Sequence, residues 1–294
     1  MFVWRGEEPG HVLLVNGGTH GDEYEGPTLL RQWAQQGPPP GLRGTVVLVP
    51  VLNEAAFFAG QRCHPIDGGN LARSFPGRPR GRPSERLAYL FDTELLAQST
   101  HYIDLHSAGA AYELLPWVGY GRHSHRRVER IQSQMAACFA PYWCWASPPS
   151  SGRTLSAARQ RGVPALYVEC QGAGGAAPAD LAVLDRGLQR VLGHLGMTAP
   201  PRIKPSPHPQ IRRVTRDVDE AHLQAHHPAP FDGLFLPEAT LGQRVRRGTS
   251  LGQVASLSAT PPATITAHRT GRIVMLRRQR SVTAGDALAT VVPI

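Results

Sequence analysis

The sequence predicts an α/β fold followed by a smaller all-β domain, on three observations. In the first 200 residues, apolar β-type runs alternate with segments of helical pattern, which is typical of a doubly wound sheet. Residues 199–209 hold five prolines and few apolar residues, as expected of a linker. Beyond them, short β-type runs alternate with glycine-rich turns. We therefore predict an α/β domain over residues 1–200 and a β-rich domain over residues 201–294.

Each predicted element follows from a local pattern. Apolar, partly β-branched runs predict strands of the sheet at residues 12–15, 45–51, 102–105 and 165–168. Helical patterns predict helices at residues 27–36, 84–95, 128–139, 154–161 and 181–195. Pro27 opens the first helix, and Ser84 is interpreted as the N-cap of the second. In the β-rich domain, strands are predicted at residues 211–214, 233–236, 272–276 and 287–292.

Composition and charge restrict the class of protein. A hydrophobic content of 41% is ordinary for a globular protein, and the net charge of +9 favours attraction of anionic substrates. The basic residues are scattered and nearly all arginine, with Lys204 the only lysine, so we predict no nucleic-acid partner. The four cysteines form no Cys-x-x-Cys pair, and the sequence shows neither a leader nor a membrane-length apolar run. We therefore predict a cytoplasmic protein with reduced thiols and no membrane partner.

Polar side chains follow all four predicted strands of the sheet. His20 and Glu23 follow the first, Asn53 the second, His106 the third and Glu169 the fourth. Ligands of open α/β sheets gather beyond the carboxyl ends of the strands, so we expect these residues to share one crevice. Two imidazoles and one carboxylate with room for water are the pattern of a catalytic zinc site. Taken alone, so short a pattern as His20 and Glu23 is more typical of ordinary polar loop residues than of a metal site.

Hydrolysis at such a site needs a proton carrier and a cationic partner. Glu169 is placed to act as general base and acid, because the water on zinc has a pKa of about 7 and its proton must move to the leaving group. Residues 60–83 form a long irregular segment, and Arg62 and Arg73 within it are candidates for binding the oxyanion and a substrate carboxylate. Asp104 lies on the strand face of His106 and either orients that imidazole or forms a salt bridge at the edge of the core.

Four segments together resemble the succinylglutamate desuccinylase/aspartoacylase family of the zinc carboxypeptidase clan. They are Gly-Gly-Thr-His20-Gly-Asp-Glu23-Tyr-Glu-Gly-Pro, Asn70-Leu-Ala-Arg73-Ser-Phe-Pro-Gly, Asp104-Leu-His106-Ser and Val-Glu169-Cys-Gln-Gly. The β-rich tail also resembles the family's C-terminal domain, so the resemblance covers nearly the whole chain. It implies a zinc-carboxypeptidase-like mixed sheet flanked by helices and a biotinyl/lipoyl-like barrel. The Glu-Tyr-Glu-Gly-Pro segment is most similar to the N-acetyl-diaminobutyrate deacetylase branch.

The resemblance also implies a role for each site residue. His20, Glu23 and His106 would bind one zinc ion, and Glu169 would carry the proton. Arg62 would bind the oxyanion and Arg73 the substrate carboxylate. Asn70 and Asn53 are further candidates for substrate binding. Two departures from the family pattern are visible: Ala72 stands where the family has Asn, and Cys170-Gln171 stands where it usually has Leu-Gly. Both departures indicate an altered substrate pocket.

The sequence therefore predicts a zinc-dependent amidohydrolase that removes an acyl group from a small N-acyl amino acid. A metallocarboxypeptidase acting on short peptides and a catalytically silent ligand-binding homologue are the alternatives. The tail does not predict a biotinyl or lipoyl carrier, because such carriers bear the cofactor on a lysine at a hairpin tip. Lys204, the only lysine, lies in the proline-rich segment and not between tail strands. The sequence does not identify the acyl group or the amino acid of the substrate, and a homo-oligomer is possible. Two imidazoles and a carboxylate also accept several divalent ions besides zinc.

Overall fold

The structure is a computed structural model that describes residues 1–139, 143–199, 211–213, 225–258 and 261–293. Apart from residue 199, the predicted linker lies outside the described residues, as does Lys204. The chain divides into two compact units. The larger unit comprises Met1–Ser107, Pro116–Cys170 and Gly174–Thr215, and the smaller unit comprises Ala108–Leu115, Gln171–Ala173 and Arg216–Ile294. The division into domains at residue 200 stays a prediction.

The larger unit is built on a sheet of eight strands. Its strands are β1 (Phe2–Arg5), β2 (Glu8–Asn16), β3 (Arg43–Val49), β4 (His101–Ser107), β6 (Trp117–Gly121), β7 (Trp143–Ser147), β8 (Ala165–Cys170) and β9 (Ile211–Arg213). In space they follow the order β1-β3-β2-β4-β8-β6-β7-β9. The β1–β3 and β8–β6 pairs are antiparallel and the other pairs are parallel, so the sheet is mixed, as predicted.

Helices cover both faces of this sheet. They are α1 (Glu25–Gln36), α2 (Glu54–Phe58), α3 (Pro83–Leu90), α4 (Arg126–Ala137), α5 (Thr154–Gln160) and α6 (Pro178–His194). Side chains alternate along the central strands, so Leu13 and Val15 of β2 pack in one core while Leu14 packs in another. The first core contains the apolar faces of α1, α4 and α6, and the second contains residues of α5 and the segment after α3. Burial on both faces explains why the central strands read as continuous apolar runs.

The smaller unit is β-rich. Its strands are β5 (Tyr112–Leu114), β10 (Gly233–Pro237), β11 (Arg244–Val245), β12 (Ser250–Ala255), β13 (Ala263–Thr266), β14 (Gly271–Arg277), β15 (Ser281–Val282) and β16 (Ala289–Val292). They form two antiparallel sheets around one apolar core that includes Phe235, Leu251 and Leu288. In the part of the chain that the structure describes, no helix combines the length and the apolar character required to cross a bilayer.

Three local predictions need correction. Ile211–Arg213 pairs with β7 in the large sheet and not with the tail strands. Helix α3 begins after Arg82, with Pro83 in its first turn, so Ser84 is not its N-cap; the Ser84 hydroxyl donates to Asp67 at 2.7 Å instead. The helical pattern continues past Leu90 as a π turn and a short 3₁₀ turn, which makes the helix itself shorter than predicted.

Candidate metal centre and active site

The loop after β2 places His20 and Glu23 at the carboxyl end of the sheet. Gly18 has a φ of +61°, a conformation that favours glycine, and a Cβ there would lie 3.0 Å from the Cα of Val51. A Cβ on Gly21 would collide with the backbone of Ala56 in α2. These close approaches explain the glycines in the motif, because they let the loop fold tightly against its neighbours.

The three predicted ligands converge. Nδ1 of His20 lies 2.8 Å from Oε1 of Glu23, and Nδ1 of His106 lies 2.9 Å from Oε2 of the same carboxylate. One donor atom from each residue lies within 4.8 Å of the others, and all three residues are buried. Residues far apart in the sequence thus present two imidazole nitrogens and a carboxylate to one point.

The outer nitrogens of both imidazoles are also held. Nε2 of His106 lies 3.0 Å from Oδ2 of Asp104, and Nε2 of His20 lies 3.1 Å from Oδ1 of Asn70. Both partners can accept a hydrogen bond, so each imidazole can donate from Nε2, and in that tautomer the Nδ1 lone pair would face a cation on the inner side. Of the two roles considered for Asp104, orienting His106 or forming a salt bridge at the edge of the core, the direct contact with His106 supports the first.

Asp104 is itself the centre of a buried network. Its Oδ1 accepts hydrogen bonds from the Asn16 amide at 2.9 Å and the Thr19 hydroxyl at 3.0 Å. Its Oδ2 accepts a hydrogen bond from the hydroxyl of Thr154, in the first turn of α5, at 2.7 Å. Three segments of the larger unit therefore fix one carboxylate, which in turn fixes His106.

The charges of this cluster shift its pKa values. Burial acts to raise the pKa of Glu23, but the charges and hydrogen bonds of His20 and His106 outweigh it and hold the pKa well below its usual range. Burial acts to lower the pKa of His106, but the carboxylates of Asp104 and Glu23 outweigh it and raise the pKa. Burial dominates at His20, whose pKa is lowered. Glu23 therefore remains an anion in this buried cluster.

The residues present fit a divalent cation. The donors are two Nδ1 nitrogens and one ionised carboxylate, a set that zinc accepts in catalytic sites. A hydrogen-bonded acceptor behind each ligating imidazole is the usual outer arrangement of such sites, and both imidazoles have one. His20, Glu23 and His106 are thus the residues that can hold a metal.

Glu169 lies beside this cluster on the neighbouring strand. The Cα of Glu169 is paired with that of His106 in the parallel β4–β8 ladder. Burial, together with the charges of Glu23 and Asp104, raises the pKa of Glu169 to about 8, against the opposing effect of His106 and Arg62. A carboxyl group with a pKa close to neutrality can both accept and donate a proton.

The two predicted arginines have different surroundings. The guanidinium of Arg62 donates to Oε1 of Glu23 at 3.1 Å, so it belongs to the cluster. Arg73 is exposed and lies in a short 3₁₀ turn, Leu71–Arg73, where its guanidinium donates to the carbonyl of Ala72 at 2.9 Å.

The remaining candidates have roles in local structure. Asn53 is buried and caps α2, with its side-chain oxygen accepting from the Ala56 amide at 3.3 Å. Asn70 caps the 3₁₀ turn through the Ala72 amide at 3.0 Å, in addition to its contact with His20. Their role as substrate-binding residues stays a prediction. Asn16, Thr19 and Thr154, which hydrogen-bond Asp104, were not predicted as site residues. Only their positions, near a strand end or a helix start, could have indicated a role at the site.

Comparison with known proteins identifies the family of the chain. The sequence model of the succinylglutamate desuccinylase/aspartoacylase catalytic domain matches residues 9–195. The chain belongs to this family. The prediction of the family is therefore confirmed.

Three known proteins match nearly the whole chain. The N-alpha-acetyl-L-2,4-diaminobutyric acid deacetylase of Halomonas elongata is 32% identical, over 99% of this chain and 84% of its own. The product-bound structure of the ectoine utilization protein EutE (DoeB) from Ruegeria pomeroyi has a TM-score of 0.89 at 28% identity, covering 99% of this chain and 88% of its own. A succinylglutamate desuccinylase from Silicibacter sp. TM1040 has a TM-score of 0.88 at 27% identity, covering 98% and 86%. The predicted fold class is confirmed as well.

Proposed function

We propose that the protein is a zinc-dependent amidohydrolase that removes the acyl group from a small N-acyl amino acid with a free carboxylate. The observation that carries the proposal is the convergence of His20, Glu23 and His106 next to Glu169 on the adjoining strand. Membership of the desuccinylase/aspartoacylase family supports hydrolysis of an amide bond. The name of the Halomonas elongata relative, a deacetylase of an N-acetyl amino acid, supports the substrate class.

A zinc ion held by His20, Glu23 and His106 would supply Lewis acidity that activates water and polarises the amide carbonyl. The chain's own residues carry out the remaining work. Glu169 takes a proton from the attacking water and later gives one to the departing amine, for which a pKa of about 8 is suitable. Arg62 lies at the ligand cluster and donates to the oxyanion as negative charge develops on the carbonyl oxygen.

The test is a substrate panel with matched variants. Release of free amine is measured for N-acetyl amino acids (first Nα-acetyl-2,4-diaminobutyrate), N-succinyl amino acids and dipeptides. Glu169→Gln is compared with Glu94→Gln, a change of the same type at an exposed position. Bound metal is quantified in every preparation. We expect turnover of N-acyl amino acids, a fall in kcat of about 100- to 10,000-fold in Glu169→Gln with metal retained, and no change in Glu94→Gln.

Other outcomes select the alternatives. Preferential cleavage of dipeptides identifies a carboxypeptidase. Metal and ligand binding with no turnover of any substrate identifies a silent homologue. Activity that survives removal of bound metal by a chelator rejects metal dependence, and activity restored better by another divalent ion than by zinc rejects zinc as the native metal.

We also propose a cytoplasmic location. Cys63, Cys138, Cys144 and Cys170 are all free thiols, which supports a reducing compartment. Separation of a tagged protein into cell fractions tests this proposal, and recovery outside the cytoplasm would reject it.

A further inference from the structure

Four arginines of the smaller unit lie close together beside strands β11 and β14. Arg244 of β11 lies directly opposite Arg272 of β14 in the antiparallel pairing of these two strands. Arg246 and Arg247 directly follow β11. The amide of Arg247 donates to the hydroxyl of Thr270 at 3.1 Å, so the chain after β11 is joined to the residue that precedes β14. We call Arg244, Arg246, Arg247 and Arg272 the arginine patch.

The side chains of Arg244 and Arg272 point away from the apolar core of the smaller unit. Their strand neighbours Val245 and Ile273 are buried in that core, and successive side chains of a strand point to opposite faces. Arg272 is half-buried, and the other three members of the patch are exposed. Directly opposed residues of an antiparallel pair have Cα atoms about 5 Å apart, so the two guanidinium groups can contact one ligand.

Among the residues that the structure describes, no guanidinium group of the arginine patch has a hydrogen-bond acceptor or an ion-pair partner. The Nε of Arg272 is shielded from solvent and still has no acceptor. Further along the same stretch of chain, by contrast, Arg277 is paired with Asp286 at 3.0 Å and Arg278 with Glu113 at 3.6 Å. The patch therefore differs from these neighbouring arginines in having no anionic partner.

This arrangement favours an anion with several charges. Like charges directly opposite each other on paired strands are destabilising, and a shielded donor without an acceptor adds to that cost. A bound anion removes both effects, because its oxygens accept from the guanidinium groups and its charge offsets their repulsion. The planar fork of a guanidinium matches the oxygens of a phosphate group. A chain of phosphate groups also has enough charge for four cations, whereas one carboxylate would leave most of the donors unsatisfied.

We propose that the arginine patch is a binding site for a small molecule that carries a chain of two or three phosphate groups, such as a nucleoside triphosphate. The patch belongs to the smaller unit, whereas the ligand cluster of His20, Glu23 and His106 belongs to the larger unit. The inference therefore does not depend on the proposed hydrolysis.

The test uses a fluorescent nucleotide as the probe. The anisotropy of mant-ATP, which carries an N-methylanthraniloyl group on the ribose, is measured as protein is added. Mant-adenosine has the same fluorophore and no phosphate, so it is the uncharged counterpart. The wild type is compared with Arg244→Gln, Arg272→Gln and Arg272→Lys at about 50 and about 200 mM salt. Arg280→Gln, at an exposed position of the same unit outside the patch, is the matched control.

We expect the wild type to bind mant-ATP with a Kd below about 1 mM at the lower salt concentration and to show no saturable binding of mant-adenosine. Arg244→Gln and Arg272→Gln should each weaken binding of mant-ATP by about 10-fold or more, because a hydrogen bond between charged groups is worth that factor. Arg272→Lys keeps the charge without the planar fork and should recover part of the loss. Inorganic triphosphate should displace the probe, and Arg280→Gln should bind it as the wild type does.

Several results overturn the inference. The first is the absence of saturable mant-ATP binding. Binding that is unchanged in both Arg244→Gln and Arg272→Gln lies elsewhere, and an equal loss in Arg280→Gln shows attraction to the net charge alone. Cosedimentation with phosphatidylglycerol vesicles is measured in parallel, and binding to vesicles without binding of mant-ATP or triphosphate also overturns it. If Arg272→Gln does not fold by circular dichroism, Arg244→Gln, at an exposed position, decides in the same way.

Discussion

The ligand cluster (His20, Glu23 and His106) differs from two arginines of the larger unit, Arg73 and Arg153, in how far the side chains are already hydrogen-bonded or ion-paired. His20, Glu23 and His106 are 2%, 2% and 8% exposed, and each accepts or donates hydrogen bonds on more than one side. Arg73 is exposed and Arg153 half-buried, and among the described residues neither has an anionic partner. The first group is held in position by the protein, and the second has donors left for a ligand.

The free-energy cost of burying an unpaired charge explains this difference between the ligand cluster and the arginines. An unpaired charge in a buried cluster is strongly destabilising, so buried imidazoles and carboxylates persist only when they satisfy one another. A guanidinium that reaches solvent is hydrated and can stay without a partner at little cost. The cluster is therefore prepared for a cation by hydrogen bonds, whereas the exposed guanidinium of Arg73 can stay hydrated.

The pH dependence of kcat/KM tests whether the buried cluster and the exposed Arg73 act independently, and it is expected to be large. Glu169 must be ionised to accept a proton, and its pKa is raised to about 8. A single group with that pKa predicts that kcat/KM rises by up to about 50-fold between pH 6 and pH 8, and a bound cation shifts the midpoint lower. The measurement is kcat/KM against pH for the wild type and Arg73→Gln. Arg73→Gln should lower kcat/KM at every pH without moving the midpoint, and a flat wild-type profile would contradict the role of Glu169.

An effect of comparable size, on metal affinity and not on activity, is expected when the hydrogen-bond partner of one ligand is changed. Asp104→Asn keeps the shape of the side chain but loses the charge that holds Nε2 of His106. Changes at such outer partners typically lower metal affinity by about 10- to 100-fold. Competition with a zinc-binding dye measures this affinity without any substrate. Arg153→Gln is the control, because Arg153 is not among the hydrogen-bond partners of the three ligands. An equal loss of metal affinity in both variants would show that Asp104 does not act through His106.

Thr154→Val removes one of the donors to Asp104 while Asn16 and Thr19 remain. We expect a loss of metal affinity of about 3- to 10-fold, less than for Asp104→Asn, since one hydrogen bond of several is lost. Thr154→Ser keeps the hydroxyl and should restore the wild-type affinity. If the Ser and Val variants behave alike, the hydroxyl does not act through Asp104, and packing of α5 is the cause.

Sequence reasoning found the ligand cluster because its signal is local. His20 lies just after a strongly apolar strand, and His106 and Glu169 are the last residue but one of two others; strand ends of a parallel sheet meet at one edge. The hydrogen bond from Thr154 to Asp104 had no such signal. It joins segments far apart in the chain, and nothing in the spacing of either segment indicates its partner.

The same reasoning explains which elements were missed. Strand β6 contains two glycines within five residues, which interrupt the strand pattern of Trp117, Val118 and Tyr120. Helix α2 has five residues, too few for helical spacing to show. Long elements with a clear apolar face, such as α6, were predicted close to their observed bounds.

The smallest effect concerns how the arginine-bearing segment 60–83 is held. Asp67, whose side chain is 5% exposed, accepts hydrogen bonds from the amide and hydroxyl of Ser84 at 3.0 and 2.7 Å and from the amide of Gly69 at 2.9 Å. Burial acts to raise the pKa of Asp67, but these hydrogen bonds and the charge of His64 outweigh it and lower the pKa to about 2. Because the folded-state pKa is depressed, the stabilisation is complete above the unfolded value of 3.8 and is lost as the pH falls toward 2.

Ser84→Ala should therefore lower Tm by about 2–4 °C at pH 7, for a loss on the order of 1 kcal/mol. Calorimetric unfolding at pH 7 and at pH 2.5 measures the difference, with Ser133→Ala as the control at a surface helix position. The gap between wild type and Ser84→Ala should narrow at pH 2.5, where protonation of Asp67 weakens the interaction in both proteins. A gap that is independent of pH would show that Ser84 stabilises the segment by packing alone. The anchoring of the arginine-bearing segment would then not depend on the charge of Asp67.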